Sequence, residues 1–221
     1  MPTTTINNKP THHSSPKLGE GIFLTKDVAD ILRLPYANVR YCMKGFWRAY
    51  TFGEENNKAI NFYSLLEFYI FYQLRMFNIS SQKIKKVHTL MAKELQTPYP
   101  FAHHKIRTDK KGIWYEKFGN LIKADGRMQM DLEPLLSSFL EKIKYGKNSI
   151  AEQYFPLDKS ENIVIDPKHQ FGQPTISGTN IKTHTLYSLF AAGETKETIS
   201  SLYNIPLIKV NDAVLFHKKA A

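Results

Sequence analysis

The sequence predicts a mainly α chain with minor β structure, and three observations point that way. Apolar residues recur at spacings of three and four over most of the length from Gly21 onward, the period of an amphipathic helix. The stretches that alternate in β fashion are short and closed by Gly, Asn or Asp, so they read as hairpins and not as a broad sheet. Positive charge is concentrated in the first two-thirds, which separates a basic unit from a nearly neutral one.

Residues 1–18 (MPTTTINNKPTHHSSPKL) are polar and lack apolar periodicity, so they are expected to form a disordered tail. Its His12-His13 pair has no further ligands spaced around it, and no metal site is expected. The next domain is expected over 19–150. In FLTKDVADILRL, Thr25 is positioned to cap a short helix whose inner face is Val28, Ile31 and Leu32. Leu34-Pro35 marks a turn into a second helix, Tyr36 to Lys44, which buries Val39, Cys42 and Met43. Asn38, Arg40, Tyr41 and Lys44 then face outward. Two short helices around a tight corner, the second presenting Asn, Arg, Tyr and Lys, match a helix-turn-helix aimed at a major groove. A plain helical hairpin with solvated charges would show the same pattern.

RAYTFGEENNKAINF reads as a hairpin in the place of a wing. Phe62 to Phe77 is apolar nearly all round, so it belongs in the core or at a subunit interface. Ser81 to Leu95 follows as a helix with Ile84, Val87, His88, Met91 and Leu95 on one stripe, His88 being read as a core histidine, and Lys83, Lys85 and Lys86 around its start. A strand pair over Phe101–Phe118, a second over Asn120–Met130 and a helix from Leu132 to Ile143 complete this winged helix-turn-helix domain with small antiparallel hairpins. Residues 151–162 are expected as a linker. The final domain, 163–221, is read as a strand pair (IVIDP and FGQPTISGTNI) followed by a homeodomain-like trihelical bundle. Its inner positions are Leu186, Leu189 and Phe190, then Ile199, Leu202 and Tyr203, then Val210, Val214 and Leu215, with Thr195 capping the middle helix.

The whole chain, 221 residues and 25.5 kDa, carries a net charge of +10. Eleven Lys and Arg against four Asp and Glu fall between Ile79 and Arg127, but only six against five from Ser160 onward. A basic surface of that kind attracts polyanions. One cysteine, Cys42, excludes an intramolecular disulfide and a zinc ribbon, and nothing resembles a membrane span or a signal peptide, so a cytoplasmic location is expected. No cofactor is implied.

The segment from Ile163 to Lys219 resembles the bacterial domain of unknown function number 433. The matching features are Asp166-Pro167, Gly172-Gln173-Pro174, Gly178-Thr179, Gly193-Glu194-Thr195 and Tyr203-Asn204-Ile205. The helix-turn-helix followed by Phe62, Leu65 and Glu67, with Tyr154-Phe155-Pro156-Leu157 before the last domain, resembles VapB-type antitoxins that carry this module. The resemblance implies a type II antitoxin that binds its operator in double-stranded DNA and neutralises a PIN-like ribonuclease toxin. On this reading Lys26, Lys44, Arg48, Lys83, Lys85 and Lys86 contact phosphates, and Asn38, Arg40, Tyr41 and Lys44 meet base edges. Phe171, Pro174, Ile176, Thr179 and Ile181 are the expected partner-binding residues, and a homodimer is expected from operator geometry and from the aromatic 62–77 helix. The alternatives are a stand-alone winged helix-turn-helix regulator without a toxin partner, an interaction protein whose charge serves solubility, and a metal-dependent nuclease. The last would need carboxylates such as Asp109, Asp125, Asp131 and Asp166, each at an apparent turn where Asp is common for conformational reasons. No catalytic constellation is recognised.

Overall fold

The computed structural model describes residues 17–54, 57–102, 139–147, 150–157 and 160–218. Among them the protein is mainly helical with two-stranded antiparallel pairs, as the sequence predicts. The tail, the strand pairs expected over 103–130 and most of the helix expected from Leu132 lie outside the described residues.

Strand β1 (Phe23–Leu24) leads straight into α1 (Thr25–Leu32). The cap differs from expectation: Thr25 is buried, its hydroxyl donating to the Lys58 carbonyl at 3.2 Å, and the Asp27 carboxylate instead accepts from the Leu24 amide at 2.8 Å. Arg33 ends the helix in the left-handed region at φ 55°, and the Leu34 amide closes back on the Ala29 carbonyl at 2.9 Å. That tight exit, followed by Pro35, releases α2 (Tyr36–Lys44) at the predicted bounds. Val39 and Met43 are buried and Cys42 half-buried, its Sγ 3.2 Å from the Tyr72 hydroxyl.

The expected wing is smaller than its sequence suggests. Phe46–Tyr50 coils into a 3-10 turn that buries Trp47, so the first arm is reduced to Phe52, paired with Ala59. Strand β2 (Ala59–Ile60) pairs on its other side with β1, in the register Phe23 with Ile60 and Leu24 with Ala59. At the tip, Gly53 has φ 85° and a Cβ there would collide with the Asn57 carbonyl, so only glycine fits.

Helix α3 (Phe62–Met76), capped by the Asn61 side chain accepting from the Ser64 amide at 2.9 Å, is buried from Phe62 through Leu74 on almost every side. Most of this apolar stretch is hidden within one chain, while Met76 at its end is exposed. Helix α4 (Ser81–Leu95), capped by Ser80, packs Ile84, Val87, His88 and Met91 inward. Strands β3 (Ile143–Tyr145) and β4 (Ala151–Tyr154) form a hairpin. Ile143 is thus a strand residue and not a helix end, and the stretch expected as a linker contains β4. Tyr154 exchanges both backbone hydrogen bonds with Ile165, at 3.0 and 2.9 Å, stitching the last unit onto the first.

In that last unit β5 (Ile163–Val164) pairs with β6 (Thr175–Ile176). Helices α5 (Thr183–Ala191), α6 (Lys196–Tyr203) and α7 (Leu207–Lys218) pack around Leu186, Ile199, Ile205, Val210 and Ala213. Thr195 caps α6, accepting from the Thr198 amide at 3.1 Å, as its sequence implies. Two expected core positions point outward: Leu202 is 68% exposed and Leu215 41%, while Ala213 and Phe216 on α7 are buried.

Candidate nucleic-acid interface

Helix α2 is split lengthwise by its sequence. Val39 and Met43 lock one face into the core, and this leaves Tyr36, Asn38, Arg40, Tyr41 and Lys44 on the surface, with Tyr41 78% exposed. None of the four predicted base-contacting residues (Asn38, Arg40, Tyr41, Lys44) is packed inside. Lys26 on α1 and Arg48 in the 3-10 turn are exposed too. Lys85 extends its ammonium over the Phe46 ring, 5.2 Å from the centroid, which brings the start of α4 beside the exit of α2. Lys86 is exposed and Lys83 half-buried on the same turn of helix. The predicted cations thus come from α1, α2, the 3-10 turn and α4. In sequence, Glu54 and Glu55 precede Lys58 after Phe52, so this stretch carries no net positive charge.

Behind this surface lies a buried polar centre for which the sequence holds no local signal. His88 on α4 stands with Nε2 3.0 Å from Oε2 of Glu67 on α3, and both side chains are closed to solvent. The other Glu67 oxygen accepts from the Phe101 and Ala102 amides at 2.8 and 3.0 Å. Phe46, Trp47, Tyr50 and Phe101 surround the imidazole, their centroids 5.3 to 6.0 Å away. Burial pushes the Glu67 carboxyl up, against the lowering effect of His88 and the two amides. His88 is a core histidine, as expected, but its partner is a carboxylate one helix away.

The predicted partner-binding residues do not form one surface. Ile176 is fully buried in the C-terminal core and cannot contact a partner, which corrects its assignment. Phe171 is 65% exposed with φ 56°, and its carbonyl accepts from the Ile22 amide at 2.9 Å. The next residue, Gly172, lies against the Phe23 ring so closely that a Cβ would sit 2.5 Å from Cζ. This edge already docks on the N-terminal unit. Pro174, Thr179 and Ile181 are half-buried, and the Thr179 hydroxyl donates to the Ile176 carbonyl at 2.9 Å. Thr179 also lines an open cleft of about 380 Å³ with Gln153, Asp166, His169 and Asn180. Asp166, raised as a nuclease carboxylate, accepts from Gln153 Nε2 at 2.8 Å and the Lys168 amide at 2.9 Å, with no second carboxylate lining the cleft among the described residues. Asp109, Asp125 and Asp131 lie outside the described residues.

Equally without a sequence signal is the contact between the corner joining α1 to α2 and the last helix. Arg33 Nη2 donates to the Phe216 carbonyl at 3.4 Å, with its guanidinium 5.5 Å over the Phe216 ring. Next along α7, His217 meets the Thr183 hydroxyl at 3.0 Å and stacks on Tyr187. Burial, then His184 and Arg33, push His217 down to about 4. A depressed histidine pKa means that the unfolded chain binds the extra proton, so this ring's contribution is complete above pH 6.5 and is lost as pH falls towards 4. We expect His217→Gln to reduce the loss of stability between pH 7 and 4.5, seen as a smaller drop in urea midpoint. The difference should be on the order of 1 kcal/mol, because the ring is partly open to solvent.

Comparison with known proteins adds the following. Residues 163–216 match the family described as protein of unknown function (DUF433). An uncharacterized protein, Rv2308 of Mycobacterium tuberculosis (strain ATCC 25618 / H37Rv), is 31% identical over 78 residues. That match takes in 34% of this chain and about a third (33%) of the relative's length. The X-ray crystal structure of Rv2018 from Mycobacterium tuberculosis superposes with a TM-score of 0.71, covering 87% of this chain and 96% of that one. At 18% identity the likeness is one of fold alone. Among the described residues no helix is long and apolar enough to cross a membrane.

Proposed function

We propose that the chain is a winged helix-turn-helix protein that binds double-stranded DNA through α2 and, as the resemblance to VapB-type antitoxins suggests, acts as the antitoxin of a type II pair whose toxin is a PIN-like ribonuclease. The observation that carries the DNA half is the exposed row Asn38, Arg40, Tyr41 and Lys44 on a helix whose opposite face is fixed in the core. A rigidly seated helix presents these groups at constant spacing, as base readout requires. Arg40 offers two parallel donors for a guanine edge, Asn38 a donor and acceptor for adenine, and the surrounding lysines neutralise phosphate. The partner half draws on a different feature, the exposed apolar residues Leu202, Leu207, Ile208 and Leu215 of the C-terminal unit, which suit contact with protein. The toxin is named by its class alone, and a homodimer would match the two-fold symmetry usual in operators.

The test uses the full chain and duplex DNA selected from a randomised pool. Arg40→Ala should weaken binding to the selected duplex by about 1–3 kcal/mol and relax the sequence preference at one position. Undiminished affinity in that variant removes α2 as the reading helix. No duplex recovered above background removes the DNA-binding reading itself.

A further inference from the structure

The contact at the helix-turn-helix corner decides where the C-terminal unit lies. Arg33 is two residues from Pro35, where α2 begins, and it holds the Phe216 carbonyl. The end of α7 is therefore pinned beside the N-terminal end of the proposed reading helix. His217, next in sequence, holds Thr183 at the start of α5, so that end of α5 is drawn to the same corner.

The exposed groups along this pair of helices include two lysines. Lys182 precedes α5 and is exposed, as are His184 on its first turn and Lys218 at the end of α7. The Lys218 ammonium lies 4.8 Å from the centroid of the Phe190 ring and that of Lys196 5.8 Å from it, so two cations meet one aromatic ring near the end of α5. The first turn of α5 contains no acidic residue. Of the acids in this unit, Asp212 is held by Ser160 and Asn162, and Asp166 by Gln153 and Lys168. Glu194 and Glu197 flank Lys196 in sequence, and neither Lys182 nor Lys218 is held in an ion pair among the described residues. The near-neutral total of this domain conceals an uneven distribution.

We propose that Lys182 and Lys218 form a second phosphate-contacting surface, which grips the duplex backbone next to the groove that α2 enters. The inference rests on the DNA-binding reading of α2 and extends it: the C-terminal unit becomes part of the DNA footprint. Charge complementarity selects the occupant, and the Arg33–Phe216 clasp supplies the proximity.

The experiment measures the affinity of the full chain for a mixed-sequence 30-base-pair duplex at several salt concentrations. Three forms are compared: the unmodified chain, Lys182→Ala/Lys218→Ala, and Lys168→Ala as a control in an exposed position outside the patch. Removing one phosphate-neutralising lysine should reduce the log–log slope by about 0.9, so the double variant should be shallower by about 1.8. At 0.1 M salt that corresponds to roughly 60-fold weaker binding if the lines converge at 1 M. Thermal unfolding should shift by no more than about a degree or two, since both side chains are exposed and the Lys218 contact with the Phe190 ring is a surface one. An unaltered slope in the double variant overturns this inference and leaves α2 as the reading helix. An equal loss in Lys168→Ala also overturns it, by showing a general charge effect. Failure of the unmodified chain to bind any duplex removes the α2 reading and this inference together.

Discussion

Glu67→Ala is expected to destabilise the protein by about 3–5 kcal/mol, the cost of taking one partner out of a buried carboxyl–imidazole pair and leaving its other hydrogen-bonding groups unmet. The carboxylate makes three contacts in a fully closed site: His88 Nε2 at 3.0 Å, and the amides of Phe101 and Ala102. Truncation leaves His88 and two backbone donors unpaired among aromatic rings, and it opens a void between α3 and α4. For a chain of this length the change corresponds to a fall of roughly 6–20 °C in unfolding temperature. Glu67→Gln keeps an oxygen for the two amides and a similar volume, so it should recover a good part of the loss. Thermal scans of the three forms check both statements. Equal unfolding temperatures for Glu67→Ala and the unmodified chain would show that the pair contributes nothing net. The effect reaches the proposed interface, because Phe46 and Trp47, at the exit of α2, pack against the same imidazole.

Local pattern was legible where one helix carries its own signals. The bounds of α2 could be read from Leu34-Pro35 and from Val39 and Met43, because a proline start and an i, i+4 apolar pair are properties of the segment itself. The Thr195 cap was readable for the same reason. What could not be read depends on residues far apart in the chain. Glu67 stands in an aromatic helix, and nothing in its own segment indicates His88 twenty-one residues later. The two amides it accepts from are farther still, after a Pro-rich break. Leu202 and Leu215 were placed inward by periodicity, yet each borders the inner stripe of a short helix, where a small rotation decides burial. The hairpin expected after α2 lost its first arm because Trp47 gains more from burial in a 3-10 turn than an extended arm would provide. Arg33 carried no signal either: its role depends on a carbonyl 183 residues away.

Binding to duplex DNA should be lost steeply as salt rises, and this is the largest effect expected of the proposed interface. Lys26, Lys44, Arg48, Lys85 and Lys86 come from four separate elements around α2, with Lys182 and Lys218 beyond the corner. If such a surface neutralises on the order of six to eight phosphates, the log–log slope should be about −5 to −7. Affinity should then fall by roughly three to four orders of magnitude between 50 and 200 mM salt. Glu54 and Glu55 add nothing to this number, since their like charge is repelled by the phosphate backbone. A protein whose charge serves solubility alone would show no such dependence. The titration of the full chain against duplex DNA across that salt range therefore bears most directly on the central claim. A slope near −6, shallower by about one in Lys44→Ala, is the result the account predicts. A flat line, or a steep one that Lys44→Ala leaves untouched, would contradict it.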